Sequence, residues 1–283
     1  MRTEPDDQQS VGTSMEATPF PESDRIVYKK NPLVEVICQL SFPSILRVDI
    51  EPPARFQERI RSDFPIFRDK SNERGGFPPD LPPPIANIIW SSGRPRPQSA
   101  YDFVSADGVW TVGLTREFLS LSTSDYRRWE DFSNRLQGPL QSLIAEYAPA
   151  WFGRIGLRYQ NLIRRSQLGL LNEPWSSLLQ PHLSGILSAT NLHATVAATA
   201  TQTTIKFEDQ AGYVNIRHGL VQPAKGDEIA YLIDNDFFTD RQTRTEDVSR
   251  ILSFFNHQSG RLFRWCITPL LHEAMGPDLL KPG

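Results

Sequence analysis

Residues 31–43 read NPLVEVICQLSFP. Val34, Val36, Cys38, Leu40 and Phe42 fall at alternate positions, with Glu35, Gln39 and Ser41 among the residues between them. Successive side chains of a strand point to opposite sides, so this spacing specifies a β-strand with one face in a core. Pro32 fits its start, where no ladder donor is needed. Cys38 then lies on the buried face, where a free cysteine acts as a small hydrophobe. It is expected to be unreactive, because a reactive thiol needs exposed, electropositive surroundings.

The same alternation recurs outward from this strand. Residues 100–114 (AYDFVSADGVWTVGL) place Asp107-Gly108 between two apolar runs, a hairpin signal, and REFLSLSTS (116–124) supplies the next strand. In FGRIGLRYQNLI (152–163), Ile155, Leu157, Tyr159 and Ile163 share one face, and Arg154, Arg158, Gln160 and Arg164 the other. Further strands are expected within 191–221, around an Asp209–Gly212 turn, and in DEIAYLIDNDFF (227–238). Three stretches instead follow the helical period. The first, 51–67, carries Phe56, Ile60 and Phe64, with Pro53 suited to its first turn. The second carries Trp129, Phe132, Leu136, Leu140, Leu143 and Tyr147, with Gly138-Pro139 expected to kink it. The third carries Val248, Ile251, Leu252, Phe255, Leu262, Cys266 and Leu270, with Thr243 and Glu246 at capping-box spacing and Pro269 at its end.

These elements predict an α+β fold of two similar halves, each an antiparallel sheet covered by one long amphipathic helix. The expected divisions are an acidic, aperiodic, disordered tail (1–25), a first half (26–166) and a second half (167–283) packed with it as one unit. The loop over 68–84, rich in glycine and proline, reads as a surface connector.

The 283 residues carry a formal charge of −3, which argues against a dedicated nucleic-acid binder. No run approaches the roughly 20 apolar residues of a membrane span, and the first residues lack a secretory leader's pattern. With two cysteines far apart, a cytoplasmic protein is expected. No cofactor motif is present and no cofactor is expected. The histidines His182, His193, His218, His257 and His272 are scattered, and no GxSxG occurs, so no catalytic or metal-ligating residue is assigned.

Two polar faces remain as candidate ligand-binding sites. Asp234 and Asp236, two apart on a strand, point the same way and could hold a cation or pair with arginines. Arg154 and Arg158 would form a polar patch if their strand neighbours the one carrying Glu35 and Gln39. That patch is expected as a salt-bridge network, with an arginine-fork cleft for an anionic ligand as the alternative.

PLVEVICQLSFP (32–43), DGVWTVGLTREFLSLSTSDYRRWEDF (107–132), RIGLRYQNLI (154–163) and FFNHQSGRLFRWCITPLLHEAMGP (254–277) occur in that order. Together they resemble a sporadically distributed family of uncharacterised bacterial proteins with a PLVEV start and an LRYxN strand, matched over about 28–277. The resemblance implies a bacterial, cytoplasmic protein and brings no activity with it. The acidic tail and the RPRPQ stretch near Pro95 depart from the family's pattern. Two functions are expected from these observations. One is a non-catalytic interaction or regulatory module, accessory to defence or toxin control, acting on a protein partner encoded nearby. The other is an enzyme or small anionic-ligand binder with a pocket between sheet and helix, using Arg158, Asp234 and Asp236.

Overall fold

The computed structural model describes residues 18–70, 100–192, 195–208, 211–222 and 228–279. The chain folds as α+β. Strands β1 (Ile26–Tyr28) and β2 (Leu33–Ser41) lead into short helices α1 (Arg47–Ile50) and α2 (Ala54–Ile60). Strands β3 (Ile66–Asp69), β4 (Ala100–Val104), β5 (Trp110–Thr115) and β6 (Phe118–Thr123) then precede the long helix α3 (Trp129–Tyr147). Strand β7 (Arg154–Ile163) is followed by three single turns, α4 (Arg165–Leu168), α5 (Trp175–Leu178) and α6 (Pro181–Ser184). Strands β8 (Thr199–Lys206), β9 (Tyr213–Val221) and β10 (Ala230–Phe238) precede α7 (Val248–Cys266), α8 (Pro269–Ala274) and β11 (Pro277–Leu279).

The opening strand behaves as its alternation demands. Val36, Cys38, Leu40 and Phe42 are buried, and burial pushes the Cys38 thiol up to about 12, so it stays protonated. Val34 is the exception, only half-buried, because the pairing of β2 with β7 shifts register between Leu33 and Glu35. An extra residue at such a bulge turns its side chain out of the alternating pattern. The β4–β5 hairpin turns at Gly108, whose φ of +75° is the left-handed conformation that glycine adopts without strain.

Instead of one sheet per half, the nine strands of the core form a single sheet in the order β3-β4-β5-β6-β2-β7-β10-β9-β8, every pairing antiparallel. The β7–β10 pairing makes it continuous across residue 166. Both faces of β7 and β10 carry buried side chains, as suits strands in the interior of the sheet. Helix α3 packs on α2 and β6, whereas α7 crosses β7 and β10. Helix α3 runs through Gly138-Pro139, with the Ser142 hydroxyl donating to the Gly138 carbonyl.

Two further expectations need correcting. The Thr243–Glu246 capping box does not form: the Thr243 hydroxyl donates to the Arg241 carbonyl, and α7 begins only at Val248 after a 3-10 turn. Residues 18–25, read as part of an unpacked tail, are folded onto the body. Phe20 is 3% exposed and sits 6.3 Å from the Phe207 ring and 5.7 Å from that of Trp265. A lone phenylalanine among prolines and acids carries no period, so its anchoring role leaves no pattern to read. The rest of that tail, the greater part of the 68–84 loop, the RPRPQ stretch, His193 and Asp209-Gln210 lie outside the described residues.

Candidate functional site

The two faces of the central strands diverge in chemistry. On the face away from α7, the four sequence candidates come together as ion pairs. Arg158 grips Asp234 through Nε at 2.6 Å and Nη2 at 2.7 Å, and Arg154 Nη2 reaches both Asp236 oxygens at 2.9 Å. Arg217, on β9, adds a third contact to Asp234 at 3.5 Å. The registry explains the geometry: Arg158 lies opposite Asp236 and Arg217 opposite Asp234, so Arg158 reaches Asp234 diagonally. Arg154 reaches Asp236 by lying across Gly156, where a Cβ would collide with its guanidinium, and it stacks 4.9 Å from the Phe238 ring.

The β2–β7 pairing brings Glu35 and Gln39 beside this network, as the sequence allowed. Burial raises the Glu35 carboxyl above its ordinary value, opposed by Arg158 and reinforced by Asp234. Asp234 is 1% exposed, so its bidentate pairing with Arg158 leaves this carboxylate committed. None of the four candidates lines the cleft that lies on the opposite face.

That cleft, of about 140 Å³, lies between the core face of β7 and β10, helix α7, the segment around β1 and the chain just before α3. Its floor is polar where a core would be apolar. Along β10 the buried face runs Tyr231, Ile233, Asn235 and Phe237, and Asn235 is 1% exposed. Its side-chain oxygen and nitrogen both lack a hydrogen-bond partner among the described residues. Asn161, on the same face of β7, is 4% exposed and donates to the Ile233 carbonyl at 3.3 Å. From α7, Asn256 Oδ1 accepts from the Tyr126 hydroxyl at 3.2 Å and the Tyr159 hydroxyl at 3.0 Å. Burial holds both phenols well above their ordinary value, so they remain neutral donors.

The walls and mouth are basic. Five arginines line the cleft against one carboxylate, Asp24. Arg25, Arg127, Arg128 and Arg261 have acidic partners in Glu130, Asp125, Asp131 and Glu22. Arg264 has no ion-pair partner among the described residues, and its Nη1 is buried without a hydrogen bond. Its neighbour Tyr28 is pushed up to about 12 by burial, a rise that Arg264 partly offsets. His257 also lines the cleft, held below its ordinary value by burial and then by Arg261 and Arg25. His272 instead bonds the Tyr28 hydroxyl through Nδ1 at 2.8 Å. Among the described residues, no three His, Cys, Asp or Glu side chains gather as a metal site would require.

Sequence reasoning passed over Asn235 and Asn161 in favour of their charged neighbours. The signal was present nonetheless. Each is a polar residue in the core-facing register of a strand, and buried amides normally find partners. The motif LRYQN (157–161) in fact serves both faces: Arg158 enters the ion network, while Tyr159 and Asn161 enter the cleft. No described helix is long and apolar enough to cross a membrane. Neither a family model nor a curated protein matches the chain.

Proposed function

We propose that this protein is a non-catalytic regulatory module that binds a small anionic ligand in the cleft between the central strands and α7. The observation that carries the reading is Asn235, a fully buried amide with both polar atoms unpartnered at the floor of a cleft whose mouth holds arginines. Leaving such groups unsatisfied costs about 1–3 kcal/mol, a penalty that a ligand supplying the missing hydrogen bonds would relieve. The guanidinium of Arg264, which hydrogen-bonds Tyr28 but has no carboxylate partner among the described residues, supplies charge for an anion, and forked guanidinium donors suit phosphate or carboxylate. Ligand binding is favoured because the tyrosine hydroxyls of the cleft are tied to Asn256 as neutral donors. In this reading the two halves, 26–166 and 167–283, each with its long helix, meet at the cleft and are bridged by the ligand. Thermal unfolding of the full chain with a panel of small phosphates and carboxylates tests it. A saturating ligand should raise the midpoint in proportion to RT ln(1 + [L]/Kd), and Arg264→Gln should abolish the rise. No shift from any anion at millimolar concentration would remove the reading.

A second reading, a protein-interaction module, rests on β8. This eight-residue strand ends the sheet with the pattern TATQTTIK, exposed along nearly its whole length, and no described strand pairs with its outer side. Such an edge offers a row of backbone groups to a partner's strand. Amide exchange in the free chain should then alternate along Thr199–Lys206, fast where the N–H faces outward and slow where it bonds β9. Uniform protection would mean the edge is already covered.

A further inference from the structure

We infer that the ligand of the cleft is a pyrimidine nucleotide, its ring read by Asn235 and its phosphate held by Arg264. This rests on the anion-binding reading above and adds the identity of the group at the floor. Three observations converge on it.

The first is size. A volume of about 140 Å³ is close to that of an engineered cavity, about 150 Å³, that accepts benzene. One six-membered ring therefore fits the interior, with the remainder of the ligand at the open mouth. A purine's fused second ring would have to extend out of this interior into the open part of the cleft.

The second is the chemistry of the floor. An asparagine amide offers one donor and one acceptor side by side, and in Asn235 both are uncommitted. The Watson–Crick edge of uracil presents N3–H beside a carbonyl, and that of cytosine presents N3 beside an amino group. An amide pairs with either by turning over, and it pairs with adenine's N6 edge in the same way, so the choice of a pyrimidine rests on the size of the interior. The site thus selects a ring with adjacent donor and acceptor and does not separate uracil from cytosine. A carboxylate could accept from the Asn235 amide N–H but would leave its Oδ1 without a donor.

The third is the distribution of aromatic and charged groups. Tyr28, Tyr126, Trp129 and Phe263 line the walls, and bases stack on such surfaces irrespective of sequence. Arg264, lacking a carboxylate partner, lies among them to receive a phosphate. A buried amide and a guanidinium without a carboxylate partner in one cleft match the base and the phosphate of a nucleoside monophosphate in polarity.

The test is calorimetric titration of the full chain with UMP, CMP, AMP, ribose 5-phosphate and inorganic phosphate. UMP and CMP should bind at least about tenfold tighter than ribose 5-phosphate, the ratio expected of one bidentate base contact, and within tenfold of each other. AMP should gain no such increment. Asn235→Leu preserves side-chain size while removing the unpaired polar atoms, so it should fold at least as stably as the parent. In that variant the advantage of UMP over ribose 5-phosphate should vanish while ribose 5-phosphate binding persists. Equal binding of UMP and ribose 5-phosphate, or tighter binding of AMP, would overturn the pyrimidine assignment and leave anion binding standing. Failure of every phosphate probe to bind would overturn both.

Discussion

Asp234→Asn is expected to destabilise the chain by roughly 3–5 kcal/mol, the usual consequence of removing one partner from a buried ion pair. Asp234 is 1% exposed and meets two guanidiniums, Arg158 at 2.6 Å and Arg217 at 3.5 Å. The asparagine variant keeps the shape but leaves two like charges facing each other with no anion between them. Asp236→Asn gives the contrast. Asp236 and Arg154 are 18% and 20% exposed, so water can take over their hydrogen bonds, and the loss should be about 1 kcal/mol. Replacing Arg158 and Asp234 together by leucine should recover most of the loss, because well-packed apolar pairs often equal buried ion pairs in stability. Urea unfolding of the three variants and the parent measures all of this. If Asp234→Asn were as stable as the parent, the cluster would not be a folding element. Arg154, Arg158, Asp234 and Asp236 would then return as candidates for binding a ligand, since binding sites often retain charge at the expense of stability.

Why the sequence disclosed this network but not the cleft follows from the physics of strands. Period two assigns each residue to a face from its immediate neighbours alone, so the common side of Asp234 and Asp236 and that of Arg154 and Arg158 were legible. Which strands lie side by side is a long-range matter. The β2–β7 and β7–β10 pairings join residues more than 65 positions apart, and local patterning cannot encode that choice. Two sheets were therefore inferred where one runs through. The cleft was hidden for a second reason. Its key residues, Asn161 and Asn235, are uncharged interruptions in apolar registers, and a single interruption does not disturb a strand assignment. They acquire meaning only when the fold places them beside Asn256 and Arg264 from a helix that lies far along the chain.

Phe255→Ala should cost about 3–5 kcal/mol, the range for deleting a buried aromatic ring, because the cavity it leaves cannot collapse. Phe255 is fully buried, its ring centroid 6.0 Å from Phe237 and 5.9 Å from Phe254. Its outer side is closed by Gly212, where φ is +130° and a Cβ would lie 3.1 Å from the ring's Cζ. A strand, a helix and a backbone turn thus define the space on three sides, and none can move inward without breaking its own hydrogen bonds. Helix α7 divides its labour by face: Leu252, Phe255, Leu262 and Cys266 pack against the sheet, while Asn256, Ser259 and Arg264 border the cleft. The variant should therefore lose stability yet bind the cleft's ligand with unchanged affinity at temperatures where it remains folded. Asn256→Ala should instead weaken binding, since the Tyr126 and Tyr159 hydroxyls that it anchors would come free at the ligand's side, and it should also cost about 1–3 kcal/mol for the buried hydroxyls left without their acceptor. An unchanged unfolding midpoint for Phe255→Ala, with binding of a partner abolished, would mean that the apolar stripe is an interface and not a core, and the packing of α7 on β7 and β10 would have to be abandoned.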